Sequence, residues 1–248
     1  MANFLRQHIL YTQEIKDLLL ADAVLTIGFT IVFGGGTSAL LSSPATLLYF
    51  LPICFIAVSL SFVLHELMHK FVAQRFGAIA AFKTSLNGLF ITIVTSFFGL
   101  LVGIPGATVI YTNRLTLRED GIISLAGPLT NFTIFGIFLA IGILSFPNFL
   151  SSISSVLGQV AMHSGNYLQN LVTFVLFISI LLAFFNMLPI FPLDGSKVLK
   201  WNKGVYIMTE GLIFLIFAYL LPLYFLPYLV TMLIFALVVS FVLRAVVL

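Results

Sequence analysis

Long apolar stretches separated by short polar connections dominate the pattern along this chain. An α-helix crosses the roughly 30 Å hydrocarbon core of a bilayer with about 20 residues, whereas a barrel strand needs about 10 residues of strict alternation. The apolar stretches have the length of helices and lack that alternation, so they predict an all-α polytopic membrane protein. They run over 18–41, 45–77, 86–104, 121–146, 168–190, 205–221 and 222–245.

The composition supports this fold class and indicates which kind of partner the protein binds. Of 248 residues, 61% are apolar and 8% are charged, which excludes a soluble domain because most of the backbone must lie where water cannot reach it. Eleven basic residues are spread thinly along the chain. Such a spread is typical of membrane topology, so we expect the lipid bilayer and not nucleic acid as a partner.

The distribution of Lys and Arg predicts which segments cross the membrane. The connections at 42–44 and 147–167 hold no charged residue. If 86–104 crossed, Arg114 and Arg118 would face outward, so we expect this stretch to be re-entrant or to lie at the membrane edge. Six transmembrane helices then place all eleven basic residues and both termini in the cytosol, as a multi-pass protein of the cell membrane. The crossings are 18–41, 45–70, 121–146, 168–190, 205–221 and 222–245.

The segment 80–118 has a different pattern from the crossings. Its stretches 81–86, 89–94 and 107–112 are rich in β-branched and aromatic residues, and Gly follows Asn or Pro between them. The pattern predicts short strands in these stretches and an apolar loop that dips into the inner leaflet, which together form a small membrane-associated β and re-entrant region on the cytosolic side. Non-helical backbone at membrane depth must pack on protein or line a wet cavity.

The motif His65-Glu66-Leu67-Met68-His69 lies at the cytosolic end of the second predicted crossing. Residues four apart project from nearly the same face of a helix, so both imidazoles can bind one metal ion while Glu66 lies beside a bound water. Zinc suits these ligands and lowers the pKa of bound water to about 7, so that Glu66 can act as general base. A surface pair of helix residues is the alternative, but ionisable groups at membrane depth usually mark function.

Asp194 is a candidate third ligand for this zinc ion. It follows an apolar stretch that ends at Pro189 and Pro192, and it precedes Gly195. The prolines would unwind the helix and turn the carboxylate back toward the bundle, on the predicted membrane side of His65. An Asp-Gly turn at a helix boundary is the alternative.

Two asparagines are candidates for binding a substrate. Asn131 ends the run Gly127-Pro128-Leu129-Thr130-Asn131, and Asn186 precedes the Pro-rich turn. Each amide can donate to a substrate carbonyl or its oxyanion. Taken singly, each is equally well explained by a hydrogen bond between helices.

These motifs together resemble the site-2 protease family of intramembrane zinc metalloproteases. The resemblance covers roughly 45–195 and follows the motif order of that family. It implies that 80–118 presents an extended substrate by strand addition. It also implies one zinc ion per chain, held by His65, His69 and Asp194, with Glu66 as the catalytic base and with Asn131 and Asn186 as substrate-positioning residues.

The predicted function is hydrolysis of peptide bonds within transmembrane segments of membrane proteins, as in regulated intramembrane proteolysis. The expected partner is a single-span transmembrane substrate, and no soluble regulatory domain is expected. The predicted organisation is a cytosolic segment with the first helix at 1–44, a catalytic core at 45–200 and two further helices at 201–248 that form a possible substrate gate.

Two rival functions remain open. A membrane protease that trims prenylated carboxyl termini would use the same motif with a downstream Glu, for which Glu210 is available. A non-proteolytic metal-binding membrane protein, either a transporter or an inactive protease-like binding protein, is the second. An intact Glu66 argues against an inactive protein, and clustering of the polar residues at one side argues against a transporter.

Overall fold

A computed structural model describes residues 2–42, 44–103, 105–112, 115–158 and 166–220, and also 230, 231, 233, 234, 237 and 238. The described chain is mostly helical. Its helices are α1 (Ala2–Gly34), α2 (Gly36–Ser42), α3 (Pro44–Val58), α4 (Leu64–Arg75), α5 (Leu86–Phe97), α6 (Leu117–Ser145), α7 (Phe149–Gly158), α8 (Tyr167–Met187), α9 (Asp194–Trp201) and α10 (Lys203–Leu220). A π-helical turn, Ser59–Val63, joins α3 to α4, and the strands are β1 (Ile79–Thr84) and β2 (Gly106–Tyr111).

Five helical segments are long and apolar enough to cross a membrane. They are Thr12–Gly34, Pro44–Arg75, Leu117–Ser145, Tyr167–Met187 and Lys203–Leu220. They coincide with the first five predicted crossings, so the multi-pass membrane character is confirmed. The sixth predicted crossing, 222–245, lies largely outside the described residues, and the count of six stays a prediction.

The chain forms two compact units, Met1–Arg114 and Leu115–Leu248. In the first unit, α1 packs against α3, α5 and β1. In the second unit, α6 packs against α8 and α9, and α10 packs against both α8 and α9. The three segments predicted from the sequence, 1–44, 45–200 and 201–248, stay predictions.

The small sheet of the first unit confirms part of the predicted β region. β1 pairs antiparallel with β2, from Ile79 opposite Tyr111 to Thr84 opposite Gly106. The strand predicted at 89–94 is wrong, because α5 occupies these positions. Ser85 caps this helix by accepting a hydrogen bond from the Gly88 N–H at 3.1 Å. The buried residues of α5 recur every three or four positions and face one side, and this helical spacing outweighs the β-propensity of the segment. They are Gly88, Leu89, Thr92 and Ser96.

Carboxylates of α1 cover the outer edge of β1. The Phe82 N–H donates to Oε1 of Glu14 at 3.2 Å, and the Thr84 N–H lies 3.4 Å from Oδ2 of Asp17. The Thr84 hydroxyl also donates to the Asp17 carbonyl at 2.9 Å. These contacts satisfy backbone groups that an edge strand would otherwise leave without partners.

Local sequence signals set the helix boundaries of the second unit. Thr116 and Glu119 form a reciprocal capping box at the start of α6. Asn166 caps α8 by accepting from the Leu168 N–H at 2.9 Å. Most of α8 is buried, so this helix forms the centre of the unit.

Gly195 allows α9 to begin directly against the end of α8. A Cβ at this position would overlap the carbonyl oxygen of Met187 and crowd that of Leu188. These obstacles are backbone atoms, which cannot turn away as the end of a side chain can. The glycine therefore fixes where Asp194, the residue before it, enters the first turn of α9.

We expect Gly195→Ala to destabilise the protein, because the methyl group must displace the α8 backbone. Overpacking of this kind costs about 1–3 kcal/mol. Gly136→Ala in α6 is a matched control, since nothing lies within 4 Å of its Cβ position. Thermal unfolding of the purified proteins in detergent, followed by circular dichroism, should give a lower midpoint for Gly195→Ala alone. Equal midpoints for both variants would contradict the close approach of α9 to α8.

Candidate metal centre

The two histidines of the H-E-x-x-H motif converge on one point. His65 and His69 lie on α4, with 3% and 6% of their surface exposed. Their Nε2 atoms are 3.0 Å apart, and their rings meet edge to face at a centroid distance of 4.6 Å. Two nitrogens bound to one tetrahedral zinc ion lie about 3.3 Å apart, so the observed separation fits a shared ion.

A π-helical turn immediately precedes these ligands. Ser59–Val63 adds one residue to a helical turn and so rotates α4 relative to α3. Such turns are common at functional sites. Asp22 of α1 is 4% exposed and accepts a hydrogen bond from the Ser59 hydroxyl at 2.8 Å. This contact fixes the start of the turn to α1.

Asp194, the candidate third metal ligand, belongs to the second unit. It lies half-buried in the first turn of α9. Two imidazole nitrogens and one carboxylate oxygen are a donor set that zinc accepts. The role of Asp194 as the third ligand stays a prediction.

Glu66 lies between the two histidines in sequence, and its carboxylate is hydrogen-bonded to a residue of β2. Its side chain is buried, with 9% exposed. The Thr108 hydroxyl lies 2.8 Å from Oε2 of Glu66 and 3.2 Å from its main-chain carbonyl oxygen. The sequence did not indicate this contact, because Thr108 was only one residue of a predicted strand.

An ion pair anchors α4 to α1 one residue beyond His69. Lys70 pairs with Oε2 of Glu14, whose other oxygen accepts from the Phe82 N–H. Glu14 is 3% exposed, and this carboxylate therefore joins α1, α4 and β1 within an apolar surrounding. Nothing in the sequence pairs these two residues, which lie 56 positions apart.

The structure places the two candidate asparagines on different helices of the second unit. Asn131 is completely buried on α6. Asn186 is half-buried in the last turn of α8, where its Nδ2 donates to the Leu182 carbonyl at 3.0 Å. The amide of Asn186 is thus bonded within its own helix. The predicted role of both residues in substrate positioning stays a prediction.

Comparison with known proteins gives two matches. Residues 53–204 match the family model of peptidase family M50. A protein of Methanocaldococcus jannaschii that is named as a candidate zinc metalloprotease is 38% identical over 155 residues, which cover 62% of this chain and 72% of that protein. No solved structure matches the chain.

We expect Asp194→Ala to lose bound zinc, because two histidines alone leave the ion one protein ligand short. Glu210→Ala is the control, and it should keep one zinc ion per chain. The measurement is zinc content by mass spectrometry after equilibration in buffered zinc and removal of free metal. Retention by Asp194→Ala together with loss by Glu210→Ala would favour the rival ligand.

Proposed function

The chain belongs to peptidase family M50, and on that premise we propose that it hydrolyses peptide bonds within transmembrane segments of other membrane proteins. The observation that carries the proposal is the convergence of His65 and His69, with Nε2 atoms 3.0 Å apart, beside the buried carboxylate of Glu66. The motif lies in a segment, Pro44–Arg75, that is apolar and long enough to span a membrane.

The proposed zinc ligands are His65, His69 and Asp194, with one ion per chain. Zinc, when bound, makes water a stronger acid and polarises a carbonyl group. The carboxylate of Asp194 adds a negative charge to two neutral imidazoles, which strengthens attraction for a divalent cation. Burial of the histidines limits competition from bulk water for the same ion.

Glu66 is the proposed general base. Its carboxylate takes a proton from the attacking water and then delivers it to the nitrogen of the departing amine. The new C–O bond forms when the water oxygen adds to the carbonyl carbon, and the C–N bond breaks once the nitrogen has received the proton, so one carboxyl and one amine product result. Thr108 donates to Oε2 of Glu66 at 2.8 Å, and this contact holds the carboxylate in one direction.

The substrate must expose a peptide bond that a transmembrane helix keeps in intrahelical hydrogen bonds. We propose that an unwound segment binds as an extended strand along β2. Carboxylates of Glu14 and Asp17 already cover the outer edge of β1, and this leaves β2 for strand addition. Asn131 and Asn186 are the proposed donors to the substrate carbonyls.

The proposed topology places this chemistry at the cytosolic side of the cell membrane, with both termini in the cytosol. The distribution of Lys and Arg over the predicted connections supports this orientation. Single-span membrane proteins are the proposed substrates, bound within the bilayer. The helices after residue 200 are proposed to admit the substrate.

The second candidate is a metal-binding membrane protein without proteolytic activity. It requires only the three ligands and gives no role to a buried carboxylate beside them. The contact between Glu66 and Thr108 therefore favours the enzyme, because it orients a group that metal binding alone does not use.

We expect Glu66→Gln to abolish cleavage of a single-span substrate while one zinc ion per chain stays bound. The amide cannot accept the proton, but it keeps the size of the side chain. Cleavage is followed on gels with purified protein in detergent, and Glu210→Gln, which removes an acid outside the site, should cut like the wild type. A chelator should stop the wild type, and zinc should restore it.

Equal cleavage by Glu66→Gln and the wild type would show that another group is the base. If the wild type binds zinc and cuts none of a set of single-span substrates, the non-proteolytic candidate replaces the enzyme.

A further inference from the structure

Thr108 lies in the middle of β2, with its hydroxyl directed at Glu66. Oγ1 is 2.8 Å from Oε2 and 3.2 Å from the main-chain carbonyl oxygen of Glu66. A hydroxyl has one proton to donate, and the shorter of the two contacts is the stronger hydrogen bond. Thr108 therefore donates to Oε2.

This hydrogen bond leaves the other carboxylate oxygen available for chemistry. Within the described part of the chain, Oε1 of Glu66 accepts no hydrogen bond. A general base needs a free oxygen in a fixed direction, and a Glu side chain rotates unless a neighbour holds it. We propose that Thr108 is a positioning residue that holds Oε2 of Glu66 and so directs Oε1 toward the reacting water.

The backbone of Thr108 adds a second connection. Thr108 pairs with Phe82 in the sheet, and the Phe82 N–H points away from β2 to Glu14. Phe82 and Thr108 are therefore a non-hydrogen-bonded pair of the antiparallel ladder. Both members of a pair of this kind direct their N–H and C=O groups away from the partner strand. The main-chain groups of Thr108 therefore face the outer edge of β2, and among the described residues β2 pairs with β1 alone.

The inference deepens the proposed function and rests on it. A strand added at the outer edge of β2 would bond to the main chain of the same residue whose hydroxyl holds the base. Thr108 would then fix the distance between the substrate backbone and Glu66. Positioning of this kind affects the chemical step, since a base misplaced by about 1 Å loses much of its effect.

The test compares Thr108→Val, which keeps the shape and removes the hydroxyl, with Thr108→Ser, which keeps the hydroxyl. Thr133→Val is the matched control, because that hydroxyl donates within α6 to the Leu129 carbonyl at 2.8 Å and is exposed. The measurements are kcat and KM for the single-span substrate and the zinc content of each protein. Wild type and Glu66→Gln are measured beside them.

We expect Thr108→Val to lower kcat about 10–100-fold, as loss of an orienting partner typically does. KM should stay within about twofold of the wild type, because the substrate contacts remain. The zinc content should stay at one ion per chain, because the metal ligands are unchanged. Thr108→Ser should recover most of kcat, and Thr133→Val should match the wild type. A purely structural hydroxyl would instead lower the amount of folded protein and leave kcat per folded molecule unchanged.

Three results would overturn the inference: kcat of Thr108→Val within twofold of the wild type, equal loss in the Ser and Val variants, or a change confined to KM. Failure of the proposed function can be distinguished from these results, because in that case the wild type itself does not cleave the substrate.

The hydrogen bond between Thr108 and Glu66 can also be tested without an activity measurement, by thermal unfolding of the zinc-free protein. Thr108→Val should lower the midpoint when Glu66 is present and not in a Glu66→Ala background, and equal shifts in both backgrounds would also overturn it.

Discussion

Charged and polar side chains buried among apolar helices need partners, and this requirement determines the arrangement of the first unit. Glu14 meets it by pairing with Lys70 of α4 and by accepting from the Phe82 N–H of β1. A carboxylate left alone at such a depth would be strongly unfavourable. The need for partners thus draws α1, α4 and β1 together, and α4 is the helix that bears the two histidines.

Because buried polar groups need partners, the two edges of the small sheet have different surroundings. Side chains of α1 occupy the outer edge of β1, whereas Thr108 of β2 directs its hydroxyl to Glu66 and its backbone outward. A two-stranded sheet has little stability by itself, so its position depends on these polar contacts and on the packing of β1 against α1. The sheet can therefore act as a fixed platform beside the proposed base.

The sequence predicted what depends on local spacing and composition. Apolar length gave five of the crossings, and the i, i+4 spacing predicted that His65 and His69 share a helix face. The strand predicted at 89–94 was wrong because β-branched and aromatic residues also fit an amphipathic helix, here with Thr92 and Ser96 directed at Gly28 of α1. The partners of Glu14 and Glu66 were beyond prediction, since each contact joins residues more than 40 positions apart.

The central claim is hydrolysis of a peptide bond inside a transmembrane segment, and fragment masses test it most directly. A single-span substrate is incubated with the purified zinc-loaded protein, and the products are weighed by mass spectrometry. The account predicts two fragments whose masses sum to the substrate plus one water, from a bond within the apolar segment on its cytosolic side. Cleavage only in the polar flanks, or masses that require another modification, would contradict it.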